Sequence, residues 1–162
     1  MTAKANMVLI LIGAVALLLG SLVYLVDRPP EHTYFVYASK INISLFDKVP
    51  NLFGAVGHSL PAFLHVFSFI LITAALLSPQ KSGCFVVCFS WVFIDSFFEL
   101  SQKYSALTLK IMPNWFSDIP FLENSANYFR NGTFDIFDLA AITLGGIIAY
   151  FVLTISRRRI IP

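Results

Sequence analysis

An all-α membrane protein, a bundle of four transmembrane helices with short interfacial helices in its outer loops, is the fold class that this sequence predicts. Composition comes first: 57% of the 162 residues are hydrophobic and 12% are charged, with a mean hydropathy of +0.77. That is too apolar and too charge-poor for a water-soluble domain of this length. Length comes second, because four separate apolar runs, at about 7–26, 60–77, 84–102 and 136–155, approach the roughly 20 residues that carry a helix across a bilayer. Periodicity comes third: the runs lack the two-residue alternation of barrel strands, and a lipid-embedded backbone must satisfy its own hydrogen bonds, so each run is a helix. The chain 1–162 reads as a single membrane domain.

The first run follows Lys4 and is longer than the apolar region of a typical signal peptide. No small-x-small cleavage pattern precedes Asp27-Arg28-Pro29-Pro30, so it is expected to remain as a helix that the double proline ends abruptly. In the outer loop 27–59, Tyr34, Phe35 and Tyr37 are expected at headgroup level, where amphipathic rings are favoured. Cys84 and Cys88 fall four apart in the third run and so share a helix face. A disulfide needs a different geometry and a zinc site needs more ligands, so both cysteines read as packing residues.

The second outer loop, 103–135, carries Tyr104, Trp115, Phe116, Phe121, Tyr128 and Phe129 among polar residues and two prolines. A loop this aromatic is expected to form short helices lying on the membrane surface over the mouth of the bundle. In the last run Ala141, Gly145 and Ala149 recur every four residues, a stripe along which a neighbouring helix can approach closely. Packing within the chain is preferred over a dimer interface for that stripe.

Orientation follows from the basic residues at the span ends. Lys4, Lys81 and Arg157, Arg158 and Arg159 lie in short segments without Asp or Glu, whereas the basic residues of the other side are diluted over long loops that also carry acids. Both termini are therefore expected in the cytoplasm, in the inner (cytoplasmic) membrane of a bacterium. The formal charge of +2 is small and its basic residues are scattered, so no nucleic-acid partner is expected.

Ionisable groups inside spans are costly and mark functional candidates. By span direction, His65, Asp95, Glu99, Gln102, Asp135 and Asp138 all fall in the outer third of the bilayer, leaving the inner halves of these spans without an ionisable side chain. Asp95, Glu99 and Gln102 are spaced four and three apart and so share one helix face. Each group also has a structural reading. Asp135 fits an N-cap, with Asp138 as its capping-box partner three residues on; His65 fits a donor to a carboxylate across the bundle; Gln102 fits an interface residue. Glu99, beside other carboxylates, calls for neutralisation by His65, Arg130 or a bound cation.

These residues resemble those of the VanZ-like membrane proteins: His65 early in one span, Glu99-Leu100-Ser101-Gln102 at the outer end of the next, Arg130 in the following loop, and Asp138 ahead of Gly145 and Gly146 in the last span. The resemblance covers about 61–150. Ile142 stands where that family usually has Asn, and the 27 residues between Gln102 and Arg130 exceed the family's short connection. What the resemblance implies is a place at the cell surface rather than a reaction, since the family is named for low-level resistance to a glycopeptide antibiotic.

Three functions are open at this point. One is a non-enzymatic envelope protein whose outward-facing polar site binds a lipid headgroup or an envelope-active amphiphile, with membrane lipids as partners. Another is an accessory subunit packed against a larger membrane complex, or a homo-oligomer. The least favoured is a membrane enzyme with Glu99 or Asp138 as general base and His65 as partner, because no nucleophile elbow and no His-Glu-x-x-His spacing is present. No cofactor or metal is expected.

Overall fold

Each apolar run is helical in the computed structural model, which describes residues 3–29, 44–50, 52–119 and 125–158. The helices are α1 (Ala3–Asp27), α2 (Leu60–Leu77), α3 (Lys81–Lys103), α4 (Ser105–Ile111), α5 (Ser125–Asn131) and α6 (Ile136–Arg158). Of these, α1, α2, α3 and α6 are long and apolar enough to cross a membrane, and no strand occurs among the described residues. The chain is thus a multi-pass membrane protein with the expected all-α architecture. The spans overrun their apolar runs by about a turn, except α2, whose 18 residues coincide with the run and rise about 27 Å.

Local chemistry sets the ends. Pro61 lies in the first turn of α2, where its missing N–H is no loss. At the other end Ser78 turns into the left-handed region, φ 46°, and donates its N–H to the Ala74 carbonyl before Pro79 stops the helix. The helices alternate in direction. Asn6 on α1 donates to Ser78 Oγ just past the end of α2, at 2.6 Å, while Arg28 beyond the other end of α1 donates to the His58 carbonyl before α2 begins, at 2.7 Å. Asp27, Leu60, Lys103 and Ile136 therefore lie at one end of the bundle, here called the loop end.

The surface helices expected in the outer loops are present as α4, α5 and two 3-10 turns, Gly54–His58 and Asn114–Asp118. Thr108 of α4 donates its hydroxyl to the Ser101 carbonyl, tying this cover to α3. The expected headgroup rings Tyr34, Phe35 and Tyr37, and Phe121 in the second loop, lie outside the described residues.

Helix α2 is the centre of the bundle, packed against α1, α3 and α6. Small residues make this possible on both flanks. A Cβ added at Gly13 of α1 would lie 2.7 Å from Ile72 Cγ1 and 3.1 Å from the Ser68 carbonyl. One added at Gly145 of α6 would meet Val66 Cγ1 at 2.5 Å and the Phe63 carbonyl at 2.8 Å. Gly145 and Ala149 are buried and Ala141 is half-buried, so the stripe seen in the sequence packs within the chain. Gly146, next to it, faces α3, where an added Cβ would collide with Val92. Cys84 and Cys88 are free, buried, and part of the same apolar core.

Candidate functional site

Asp27 and Arg28 pin the first loop to the loop end of the bundle. The Asp27 carboxylate accepts the Leu52 and Phe53 amides, at 3.1 and 3.0 Å, just ahead of the Gly54–His58 turn. Arg28 donates to the His58 carbonyl, and its guanidinium sits 4.5 Å above the ring of Tyr24. From there the charge lies within electrostatic reach of both Glu99 and Asp138. A guanidinium within electrostatic reach of two carboxylates lowers the cost of having both at the edge of a lipid-facing bundle.

Glu99 is 7% exposed. Its Oε1 accepts the backbone N–H of Asp135, at 2.7 Å, and Asp135 Oδ1 in turn accepts the N–H of Phe137, at 2.9 Å. Asp135 is therefore the N-cap of α6, as its spacing suggested. The reciprocal partner is not Asp138, however, because the amide that a capping box would offer to Asp138 is already taken by Glu99 from across the bundle. Asp138 is hydrogen-bonded by Ser59 instead, and its Oδ1 is buried with no hydrogen-bond partner among the described residues.

Gln102 donates to the phenol oxygen of Tyr128 on α5, at 2.6 Å. Burial pushes the Tyr128 phenol well above the usual tyrosine range; the Tyr24 phenol and the Glu99 carboxylate add to this, and the Gln102 bond opposes it. Behind this pair, Gly132 leaves no room for a side chain, since an added Cβ would lie 2.8 Å from Gln102 Cδ, Gln102 Oε1 and the Tyr128 carbonyl. The α5 cover is thus held against Gln102, one turn beyond Glu99 on α3.

His65 belongs to a different pair. Its Nδ1 is 2.9 Å from Asp95 Oδ2, with the histidine side chain 48% exposed and the aspartate 10%. The histidine thus meets a carboxylate across the bundle, and that carboxylate is Asp95 rather than Glu99 or Asp138. Arg130 lies exposed on α5 and is not among the groups that act on Glu99 or Asp138. Among the described residues, the cation that acts on both of them is Arg28. Among the described residues no His, Cys, Asp and Glu group has a metal-holding arrangement.

No protein-family model, curated protein or solved structure matches this chain.

Seven residues were singled out by sequence: Glu99, Asp135 and Asp138 meet at the loop end, Gln102 joins them through Tyr128, His65 and Asp95 form a separate pair, and Arg130 stands apart. The residues missed were Arg28, Tyr24, Ser59 and Tyr128. Their signal was positional, because Arg28 and Ser59 sit at the boundaries of spans α1 and α2 and so at the depth of Glu99.

Proposed function

We propose that this is a non-enzymatic, VanZ-like protein of the bacterial cytoplasmic membrane, with both termini in the cytoplasm, whose loop-end cluster faces outward and holds the polar head of a lipid or envelope-active amphiphile. The carrying observation is Asp138: a carboxylate oxygen buried without a hydrogen-bond partner among the described residues, on a side chain bonded by Ser59 and within reach of Arg28. An unmet acceptor at the membrane boundary favours a ligand that brings a hydrogen-bond donor. The surface helices α4 and α5 fit this reading, since Thr108 of α4 and Tyr128 of α5 bond to the loop end of α3 and so cover the bundle mouth. The order of His65, Glu99, Gln102 and Asp138 along the spans is what the VanZ-like resemblance contributes, and it supports a role at the cell surface.

The test is native mass spectrometry of the chain released from bacterial membranes, comparing wild type with Asp138→Asn and Glu99→Gln. Lipid-bound species are expected to fall severalfold in both variants while the folded protein persists. Equal lipid retention in well-folded variants would reject the reading, as would unchanged glycopeptide susceptibility in cells expressing them normally.

A second reading, an accessory subunit of a larger membrane complex or a homo-oligomer, is favoured by one feature. Phe85, Phe89, Phe93 and Phe97 stack along the outer face of α3 and are 55–61% exposed. A lone small particle in mild detergent would reject this alternative.

A further inference from the structure

The seam between α2 and α3 contains a chemical arrangement that the loop-end cluster does not use. His65, Phe69 and Thr73 recur every four residues and so line one face of α2. The His65 and Phe69 rings meet edge to face at 4.4 Å, Phe69 stacks on Trp91 of α3 at 4.7 Å, and Trp91 donates its indole N–H to Thr73 Oγ1 at 3.0 Å. The column starts at an exposed histidine, and Phe69, Trp91 and Thr73 below it are only half-buried, so the seam opens sideways toward lipid.

Asp95 sets the polarity at the top of this column. A carboxylate accepts hydrogen bonds and donates none, so the nitrogen facing it, Nδ1, carries the hydrogen, and in the neutral ring Nε2 keeps its lone pair. His65 lies five residues into α2, about 8 Å along the axis of a helix whose rise of about 27 Å nearly fills a hydrocarbon core, and so below the headgroup level. An anionic phosphate is disfavoured there by the neighbouring Asp95 charge, and a headgroup ammonium lies too far out. What remains is a neutral donor attached to an apolar body.

We propose that the α2/α3 seam is a lateral binding site for a lipid bearing an uncharged hydroxyl, which donates to His65 Nε2 while the chain lies along Phe69 and Trp91. The site is separate from the loop-end cluster. A diacylglycerol and a long-chain alcohol both carry this chemistry.

Trp91 reports on the site once Trp115 is replaced by Phe, since the chain has 2 tryptophans. The Trp115→Phe protein is placed in phosphatidylcholine nanodiscs doped with brominated diacylglycerol, brominated long-chain alcohol, or the acetylated form of either. Trp91 quenching is expected at about fivefold lower mole fraction for a free hydroxyl than for its acetylated counterpart, the loss set by one hydrogen bond. Preference in the diacylglycerol pair or in the alcohol pair supports the site and identifies the source. Equal quenching within both pairs overturns it. Adding His65→Phe is expected to abolish the preference and adding Glu99→Gln to leave it intact; persistence in the first, or loss in the second, overturns the assignment. Should His65→Phe not fold, the 15N signal of His65 Nε2 in the wild-type chain decides, because the free hydroxyl compound is expected to shift it and the acetylated one is not. Absence of that difference overturns the proposal.

Discussion

Glu99 accepts the backbone N–H of Asp135 at 2.7 Å, so a side chain of one spanning helix completes the N-terminal cap of another. The bond ties α3 to α6 at the loop end. It also withdraws from Asp138 its local role, leaving that carboxylate to Ser59. One contact thereby leaves the cap to Asp135, while Asp138 Oδ1 stays buried without a hydrogen-bond partner among the described residues.

Glu99→Ala is expected to destabilise the protein by about 1 kcal/mol, the cost of leaving a part-buried amide unpaired. Glu99→Gln retains an oxygen that can accept the Asp135 amide and is expected to lose less. Thermal unfolding in one detergent at one pH compares the two. A glutamine variant as unstable as the alanine variant would mean that charge, rather than the cap, holds α3 to α6.

Asp135→Ala removes the oxygen that accepts the Phe137 amide and is expected to cost about 1 kcal/mol. Asp135→Asn preserves an acceptor and is expected to be nearly neutral. Hydrogen exchange at the Phe137 amide resolves the effect locally, with faster exchange in Asp135→Ala alone. If the amide exchanges at the wild-type rate in both, Asp135 is not the cap.

The four spans were legible because lipid imposes a simple rule, about 20 apolar residues closed on their own hydrogen bonds. The depth of Glu99 and Asp138 was legible for the same reason, since direction and position along a span fix depth. Pairing was not legible. His65 sits at a depth that Asp95 and Glu99 both reach, and only the rotation of α3 against α2 gives it to Asp95. Arg28 was overlooked because a residue preceding two prolines reads as loop, whereas its guanidinium folds back over Tyr24. The packing of α1 was also hidden: Gly13, Ala16 and Gly20 are its small buried stripe, but they are spaced three and four apart within a run whose apolar residues are all plausible core.

Gly145→Ala is expected to destabilise by about 1–3 kcal/mol, because the new methyl group meets the Phe63 carbonyl, backbone that can move only if α2 and α6 separate. Gly146→Ala is expected to destabilise by a similar amount, since the Val92 methyl that it meets belongs to a β-branched side chain held to one rotamer in the middle of α3. Leu144→Ala, at an exposed position on the same helix, is expected to stay within about 0.5 kcal/mol. Unfolding midpoints in a common detergent give the order. A Gly145→Ala protein as stable as wild type would show that the α2–α6 approach is looser than these distances.

Alkaline stability depends on Tyr128. Its folded phenol titrates above the ordinary value of 10.0 because burial penalises the phenolate and the Tyr24 and Glu99 groups oppose a further negative charge. Above pH 10 the unfolded state releases this proton while the folded state keeps it, so the folded state binds more protons and stability falls as pH rises. Below pH 10 both states hold the proton and Tyr128 contributes no slope. Tyr128→Phe, with no proton to release, is expected to flatten the decline between about pH 10 and 11.5 at some loss of stability near neutrality from the missing Gln102 bond. Detergent unfolding across that range for both proteins measures it. Parallel curves would mean that the α5 cover lifts away from Gln102 before Tyr128 ionises, leaving the phenol in water with an ordinary titration.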